Sequence, residues 1–233
     1  AKAFMNDAVI FILGILVVAV GVSRTGLDKR IGLLLLSPIK GTGAFAFIFF
    51  PILAISSAFL SAHALVAILV PVMMGIYKAT CASQGVQRDR VLAIFLFLGV
   101  CFAANIGGPG SPAAGARNAI MIGYWKEFFF DPTNPETFKF IVSYVDWMIH
   151  AYPMFLIQVP FVTIILFWTF RPEYRDLSRA VVKLRKMIEE EGPMKAADWM
   201  SILIFFLVLV GWILISGEIG MGTVAVAGAA MFL

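Results

Sequence analysis

Residues 102–124 read FAANIGGPGSPAAGARNAIMIGY, and the Gly107-Gly108-Pro109-Gly110-Ser111-Pro112 run at their centre cannot continue an α-helix. On both sides the sequence is apolar and compatible with a helix. Backbone N–H and C=O groups freed by such a break each cost several kcal/mol if they face lipid. A broken helix at membrane depth is therefore confined to places where it is buried in protein or lines an aqueous cavity. Transporters use this arrangement to bind ions and anions near the bilayer midplane.

The surroundings are those of a membrane protein. Of 233 residues 61 % are hydrophobic and 14 % charged, where a soluble domain has about 25 % charged; mean hydropathy is +0.94. The net charge of +4 comes from basic residues gathered between apolar runs, and no basic–aromatic interleaving points to nucleic acid. Cys81 and Cys101 have no metal-ligand spacing and read as apolar filler. Apolar runs long enough to span, about 20 residues, cover 3–22, 44–77, 91–125, 140–170 and 196–216, and another begins at Met221. The chain opens at Ala1 beside one run and stops at Leu233 inside another, which reads as a fragment of a longer protein.

The basic segments 23–42, 78–90 and 171–195 are cytoplasmic by the positive-inside rule. Both ends of 44–77 are then cytoplasmic, although the segment is too short for two spans and a turn. A re-entrant helical hairpin satisfies both facts, with its tip among Ser56-Ser57-Ala58-Phe59-Leu60-Ser61-Ala62-His63. Residues 91–125 cross once, as two half-helices. Between 174 and 191, Leu177, Val181, Leu184 and Ile188 recur at helical spacing among charges, the pattern of an amphipathic helix lying on membrane lipid or bracing the cytoplasmic side.

The second arm of the hairpin starts near Ala62 and the second half-helix near Pro112. Both helix N-termini point into the membrane, each with unpaired N–H groups and roughly half a positive charge. That is an anion site made from backbone. The reversal at 57–61 and the unwound 105–110 supply hydroxyl and carbonyl oxygens suited to a hard cation such as Na⁺. Cation-coupled transport of an anion is the chemistry these elements share.

At SSAFLSAHALVAILVPVMMGI (56–76) and AANIGGPGSPAAGARNAIMIGYW (103–125), with Gly26-Leu27-Asp28-Lys29-Arg30-Ile31 as a weaker echo, the sequence resembles the divalent anion/sodium symporter (DASS) family of the ion-transporter superfamily. The order of elements matches over most of the chain, as a first inverted repeat and the start of a second. The resemblance implies an all-α polytopic membrane protein, an inverted-repeat transporter with a re-entrant hairpin and a broken transmembrane helix. Residues 1–42 would be a scaffold span and cytoplasmic connector. Residues 43–125 would belong to the transport domain (hairpin 44–77, broken helix 91–125). An outer loop and scaffold span would fill 126–170, an amphipathic cytoplasmic connecting helix 171–195, and the start of the second repeat 196–233.

The family also implies Na⁺-coupled uptake of a small anion, such as a di- or tricarboxylate, by alternating access in a homodimer. The location would be a cell membrane, such as the bacterial inner membrane, with Na⁺ as coupling ion and no organic cofactor. Family members carry Ser-Asn-Thr at the hairpin tip, where it contacts the substrate carboxylate and helps to bind Na⁺. Here the tip reads Ser61-Ala62-His63, so the serine alone matches and Ala62 stands where the family has an amide. The family loop often ends in Pro-Pro-Asn, where this chain has Ala116-Arg117-Asn118. The implied cation-binding residues are Ser57, Ser61, Asn105, Gly107 and Gly108. The implied substrate-binding residues are Ser61, Ala62, His63, Ser111 and Arg117.

Each singular residue has a second reading. His63 can donate to an anion, titrate near neutral pH and couple transport to protons, or satisfy a local carbonyl. Arg117, five residues and about 7.5 Å of helix beyond Pro112, can contact substrate or snorkel to the outer interface. Asn105 and Asn118 can tie down the break, with Asn105 also a candidate ion ligand. Asp146 and His150 sit one turn apart, as an interfacial ion pair or a proton relay. A proton-coupled transporter or anion exchanger of the same fold, using His63, stays open beside the sodium-coupled reading. An intramembrane enzyme would need a Gly-x-Ser-x-Gly, a His-Glu-x-x-His or paired intramembrane aspartates, and none is present; the expectation is a protein that is not an enzyme.

Overall fold

A computed structural model describes residues 7–27, 30–31, 39, 41–60, 62–172, 176–178, 182, 186, 189 and 192–232. The described elements are helical: α1 (Asp7–Thr25), α2 (Thr42–Ser57), α3 (Ala62–Ser83), α4 (Arg90–Gly107), α5 (Ala116–Phe129), α6 (Tyr144–Thr169), α7 (Ala196–Leu214) and α8 (Met221–Met231). Among the described residues the only β-type pairing is an isolated bridge from Gly41 to Asp176. Among the described residues five helical segments are long and apolar enough to cross a membrane: Asp7–Thr25, Leu65–Ser83, Arg90–Gly110, Tyr144–Thr169 and Ala196–Leu214. The chain is an all-α polytopic membrane protein. Most of the expected amphipathic segment at 174–191, including Val181, Leu184 and Ile188, lies outside the described residues; Leu177 is buried.

Local chemistry sets where the helices begin. The Asp89 carboxylate accepts from the Leu92 N–H at 2.9 Å and caps α4. Ser143 and Asp146 form a capping box at the start of α6. Asp146 therefore spends its carboxylate on Ser143, while the His150 ring nitrogen Nδ1 lies 2.7 Å from the Asp146 backbone carbonyl. The side-chain ion pair expected between these two residues is replaced by a helix start. At α7 the Asp198 carboxylate accepts from Lys195 N–H at 2.8 Å and meets Arg30 Nε at 3.4 Å, which ties the segment after α1 to the seventh helix.

Two cores hold the helices together. In the first, Phe45, Phe49 and Phe50 of α2 pack with Leu65, Leu69 and Met73 of α3, with Phe95 and Leu96 of α4, and with Phe155 and Leu166 of α6. A π-helical stretch at Phe45–Phe49 buries Phe45 and Phe49, which Phe50 joins at the start of the next turn, while Phe47 stays exposed. The second core joins Phe11 of α1, Ile122 of α5, Tyr144 of α6, Trp212 of α7 and Ala225 of α8. The interior side chains of α6 thus share the core of both hairpin arms, and its outer end alone reaches the second core.

Helices α1 and α8 run parallel, as the cytoplasmic assignment of the basic loops requires. Asp7 accepts from Gly222 N–H at 3.1 Å at one end, and Gly21 faces Phe232 at the other. Between them a Cβ on Gly14 would sit 2.6 Å from Ala225 Cβ and 2.7 Å from its backbone carbon. Gly14→Leu is expected to lower the thermal midpoint in detergent by several degrees, because overpacking at a backbone contact costs about 1–3 kcal/mol. Gly75→Leu, at a glycine with nothing within 4 Å, should leave it unchanged. Equal behaviour of the two variants in a fluorescence size-exclusion melt would exclude the close seam.

Candidate functional site at the hairpin tip and the helix break

The break is built from two short turns and two extended residues. Gly108–Gly110 and Pro112–Ala114 each form a 3-10 turn with a proline in its first two positions. Ser111 (φ −146°, ψ 159°) and Gly115 (φ −169°, ψ 147°) are extended and separate these turns from each other and from α5. The second half-helix was expected from near Pro112 but starts at Ala116, because Pro112 opens a turn that ends at the extended Gly115. Arg117 consequently lies in the first turn of α5, and the 7.5 Å offset expected toward the outside does not exist.

The hairpin tip docks onto this break. Ser57 Oγ donates to Ala54 O at 2.9 Å and approaches Ala103 O of α4 at 3.5 Å. Gly107 makes the contact possible, since a Cβ there would lie 1.9 Å from Ser57 Oγ and 2.0 Å from Ala54 O. Ser111 Oγ donates to Ala58 O at the tip, and a Cβ on Gly110 would stand 2.8 Å from Ala58 Cβ. Three further carbonyls of the break have side-chain donors. Asn118 Nδ2 donates to Gly108 O at 2.8 Å and to Ser111 O at 2.7 Å, and Trp147 Nε1 donates to Pro109 O at 2.8 Å. This accounts for how a Gly/Pro break is kept inside a membrane protein: groups that have lost their helical partners find side-chain ones.

Beside the docked tip lies a cavity of about 1060 Å³. Ala62 of α3, Cys101 and Asn105 of α4, Gly108 of the break, and Ala116, Arg117 and Asn118 of α5 line it. The first residues of α3 and α5 therefore both open on it. Asn105 Nδ2 donates back to Cys101 O at 2.8 Å, and its carboxamide oxygen is uncommitted among the described residues. Arg117 is exposed and is the one charged residue of the described lining. A permanent cation beside two helix N-termini suits an anion, and backbone and carboxamide oxygens suit a hard cation. Among the described residues no group of three His, Cys, Asp or Glu could hold a metal ion.

Of the residues expected at the site, Ala62, Asn105, Gly108 and Arg117 line the cavity. Ser57, Gly107 and Ser111 are buried in the contact between tip and break rather than on the cavity wall. Ser61 lies outside the described residues, and so does the side chain of His63, whose backbone is the second residue of α3. Two residues had not been singled out for the site. Cys101, one helical turn before Asn105, shares its face, so its position was readable from the spacing. Trp147 had no local signal, because its partner Pro109 belongs to another helix. A second cavity of about 530 Å³, also lined by Pro109, lies between α5 and α6; its lining is mainly apolar but includes Lys139, Asp146, His150 and Gln158.

Comparison with known proteins agrees with this geometry. The family profile described as the sodium:sulfate symporter transmembrane region matches residues 1–233. The chain is 27 % identical over 226 residues to the sodium-dependent high-affinity dicarboxylate transporter 3 of Caenorhabditis elegans, covering 91 % of this chain and 38 % of that protein. It is 25 % identical over 214 residues to the sodium-dependent dicarboxylate transporter SdcS of Staphylococcus saprophyticus, covering 89 % and 40 %. The chain thus spans about two fifths of the length of these relatives. With a broken helix, a docked helical hairpin and a family profile matched from end to end, the chain belongs to the sodium:sulfate symporter transmembrane family, the divalent anion/sodium symporters, and is a multi-pass protein of the cell membrane.

Proposed function

We propose that the complete protein is a secondary active transporter that couples Na⁺ entry to uptake of a small anion, a di- or tricarboxylate, by alternating access. The observation that carries this reading is the cavity on which the first residues of α3 and α5 both open, with Arg117, the one charged residue of the described lining, in the first turn of α5. Relatives named as sodium-dependent dicarboxylate transporters support the ion and the substrate class. Arg117 binds one carboxylate. Ser61, Ala62 and His63 offer the N-terminus of α3 to the other, Ala62 through its backbone alone. Asn105 and Gly108 give oxygens to Na⁺ together with the hydroxyl of Ser61, while Ser57, Gly107 and Ser111 hold tip and break in register. Helices α2 to α6 move as one unit; α6 goes with them rather than with the scaffold expected for it from the sequence, because Phe155 and Leu166 share their core. Helix α1 belongs to the scaffold, through which a homodimer forms.

The test is uptake of a radiolabelled anion panel by the full-length protein in proteoliposomes, under an imposed Na⁺ gradient and then an imposed H⁺ gradient. Sodium-driven accumulation abolished by Ser61→Ala is the expected result. Proton-driven uptake lost in His63→Ala would move the coupling to the histidine. Absence of gradient-driven uptake for every anion would sink the reading.

A further inference from the structure

Pro109 is the hinge point of the break in a specific sense: it lines both the polar cavity and the second, mainly apolar one. Its carbonyl differs from the others in the loop. Gly108 O and Ser111 O are held by Asn118, a residue of the same broken span, and Ala58 O is held by Ser111. Pro109 O is the one carbonyl of the break itself that takes its donor from a different span among the described residues, the Trp147 indole of α6 at 2.8 Å. Trp147 also lines the second cavity, where Lys139, Asp146, His150 and Gln158 stand among otherwise apolar residues, and its indole is the one donor to Pro109 O among the described residues. Without that indole the carbonyl would lose its one protein donor among the described residues, and the Gly108–Gly110 turn would be freer to rotate toward the polar cavity.

We infer that Trp147 is a positioning residue for the cation site: its indole N–H holds Pro109 O away from the cavity and so sets which loop oxygens face the ion. The consequence for sodium rests on the transport function proposed above; the consequence for the loop does not. Loss of the N–H loosens the turn on the cavity side. The expected signature is a weaker sodium dependence with an unchanged maximal rate, because the anion meets α3 and α5 rather than Pro109. A tryptophan that served only to fill space would move neither quantity when 3-benzothienylalanine, of the same shape without the N–H, takes its place.

The experiment uses the full-length protein carrying Cys101→Ser and Ala114→Cys, which place a thiol in the second turn of the break on the cavity wall. Trp147→Phe is expected to speed its reaction with a small methanethiosulfonate about five-fold, the equivalent of one lost hydrogen bond. Without the added cysteine, Trp147→Phe should raise the half-saturating Na⁺ concentration by a similar factor and leave maximal uptake within two-fold or so. Trp125→Phe is the control, since Trp125 lines the same second cavity and packs on Phe129. Equal labelling with and without the Trp147 change, or equal acceleration by Trp125→Phe, overturns the tether. Faster labelling with an unmoved Na⁺ dependence overturns its link to the ion. If the wild type shows no sodium-driven uptake, the transport reading fails while the labelling rates still decide the tether. Should Trp147→Phe not fold, 3-benzothienylalanine at 147, which has the same shape without the N–H, carries the same comparison.

Discussion

Gly107→Ala is expected to prevent the hairpin from seating and to reduce both folded protein and uptake more than ten-fold. The backbone conformation at Gly107 is ordinary, φ −67° and ψ −23°, so alanine meets no conformational penalty there. The obstacle is contact. The new Cβ would lie 2.0 Å from the Ala54 carbonyl oxygen and 1.9 Å from Ser57 Oγ. A serine hydroxyl can rotate aside, but a carbonyl inside α2 moves only if the helix moves. Overpacking costs about 1–3 kcal/mol when side chains can yield, so a collision with a packed backbone belongs at or above the top of that range. Gly108→Ala is the informative neighbour, because the nearest heavy atom to its Cβ is Arg117 Nη2 at 4.0 Å. It should fold normally and test the ion site alone. The readouts are fluorescence size exclusion for assembly and proteoliposome uptake for function. Wild-type behaviour of Gly107→Ala in both would show that the tip does not sit on the break.

Arg117→Gln should raise the half-saturating concentration of a C4 dicarboxylate ten- to a hundred-fold, corresponding to about 1.5–3 kcal/mol for a lost charge-assisted hydrogen bond. The sodium dependence at saturating substrate should barely move. Arginine stays charged at any accessible pH and offers a planar pair of donors to a carboxylate. Arg117→Lys keeps the charge and loses the fork, so an intermediate value is expected. A second readout is free of transport. Cys101 is exposed on the cavity wall while Cys81 is buried, so thiol labelling at Cys101 reports on the site. Dicarboxylate should protect Cys101 in the wild type and not in Arg117→Gln. An unchanged uptake constant together with unchanged protection would return Arg117 to a snorkelling role.

Some of this molecule is decided by chemistry within a few residues of chain, and the sequence by itself determined it. The density of apolar residues makes the chain a membrane protein. The Gly107–Pro112 run must break a helix, because turn formers act on their own backbone. The start of α3 at Ala62 and the direction shared by α1 and α8 were readable for the same reason, from small polar residues at a reversal and from the charges of the loops. Other features depend on groups far apart in sequence, and only the tertiary structure decided them. Whether Gly107 serves as a conformational joint or as a seat for Ser57 depends on what lies against it. Whether Pro112 continues into a helix depends on how Ser111 is held by the hairpin tip, and this placed Arg117 on the cavity wall. Asp146 looked like a partner for His150 because both lie on one helix face, yet its carboxylate closes a capping box. Trp147 reads as one more membrane aromatic until its indole is found on a carbonyl thirty-eight residues away. Propensity and patterning act along the chain, whereas close approach and the satisfaction of freed carbonyls act across space, and a site built inside a broken helix is made of the second kind of contact.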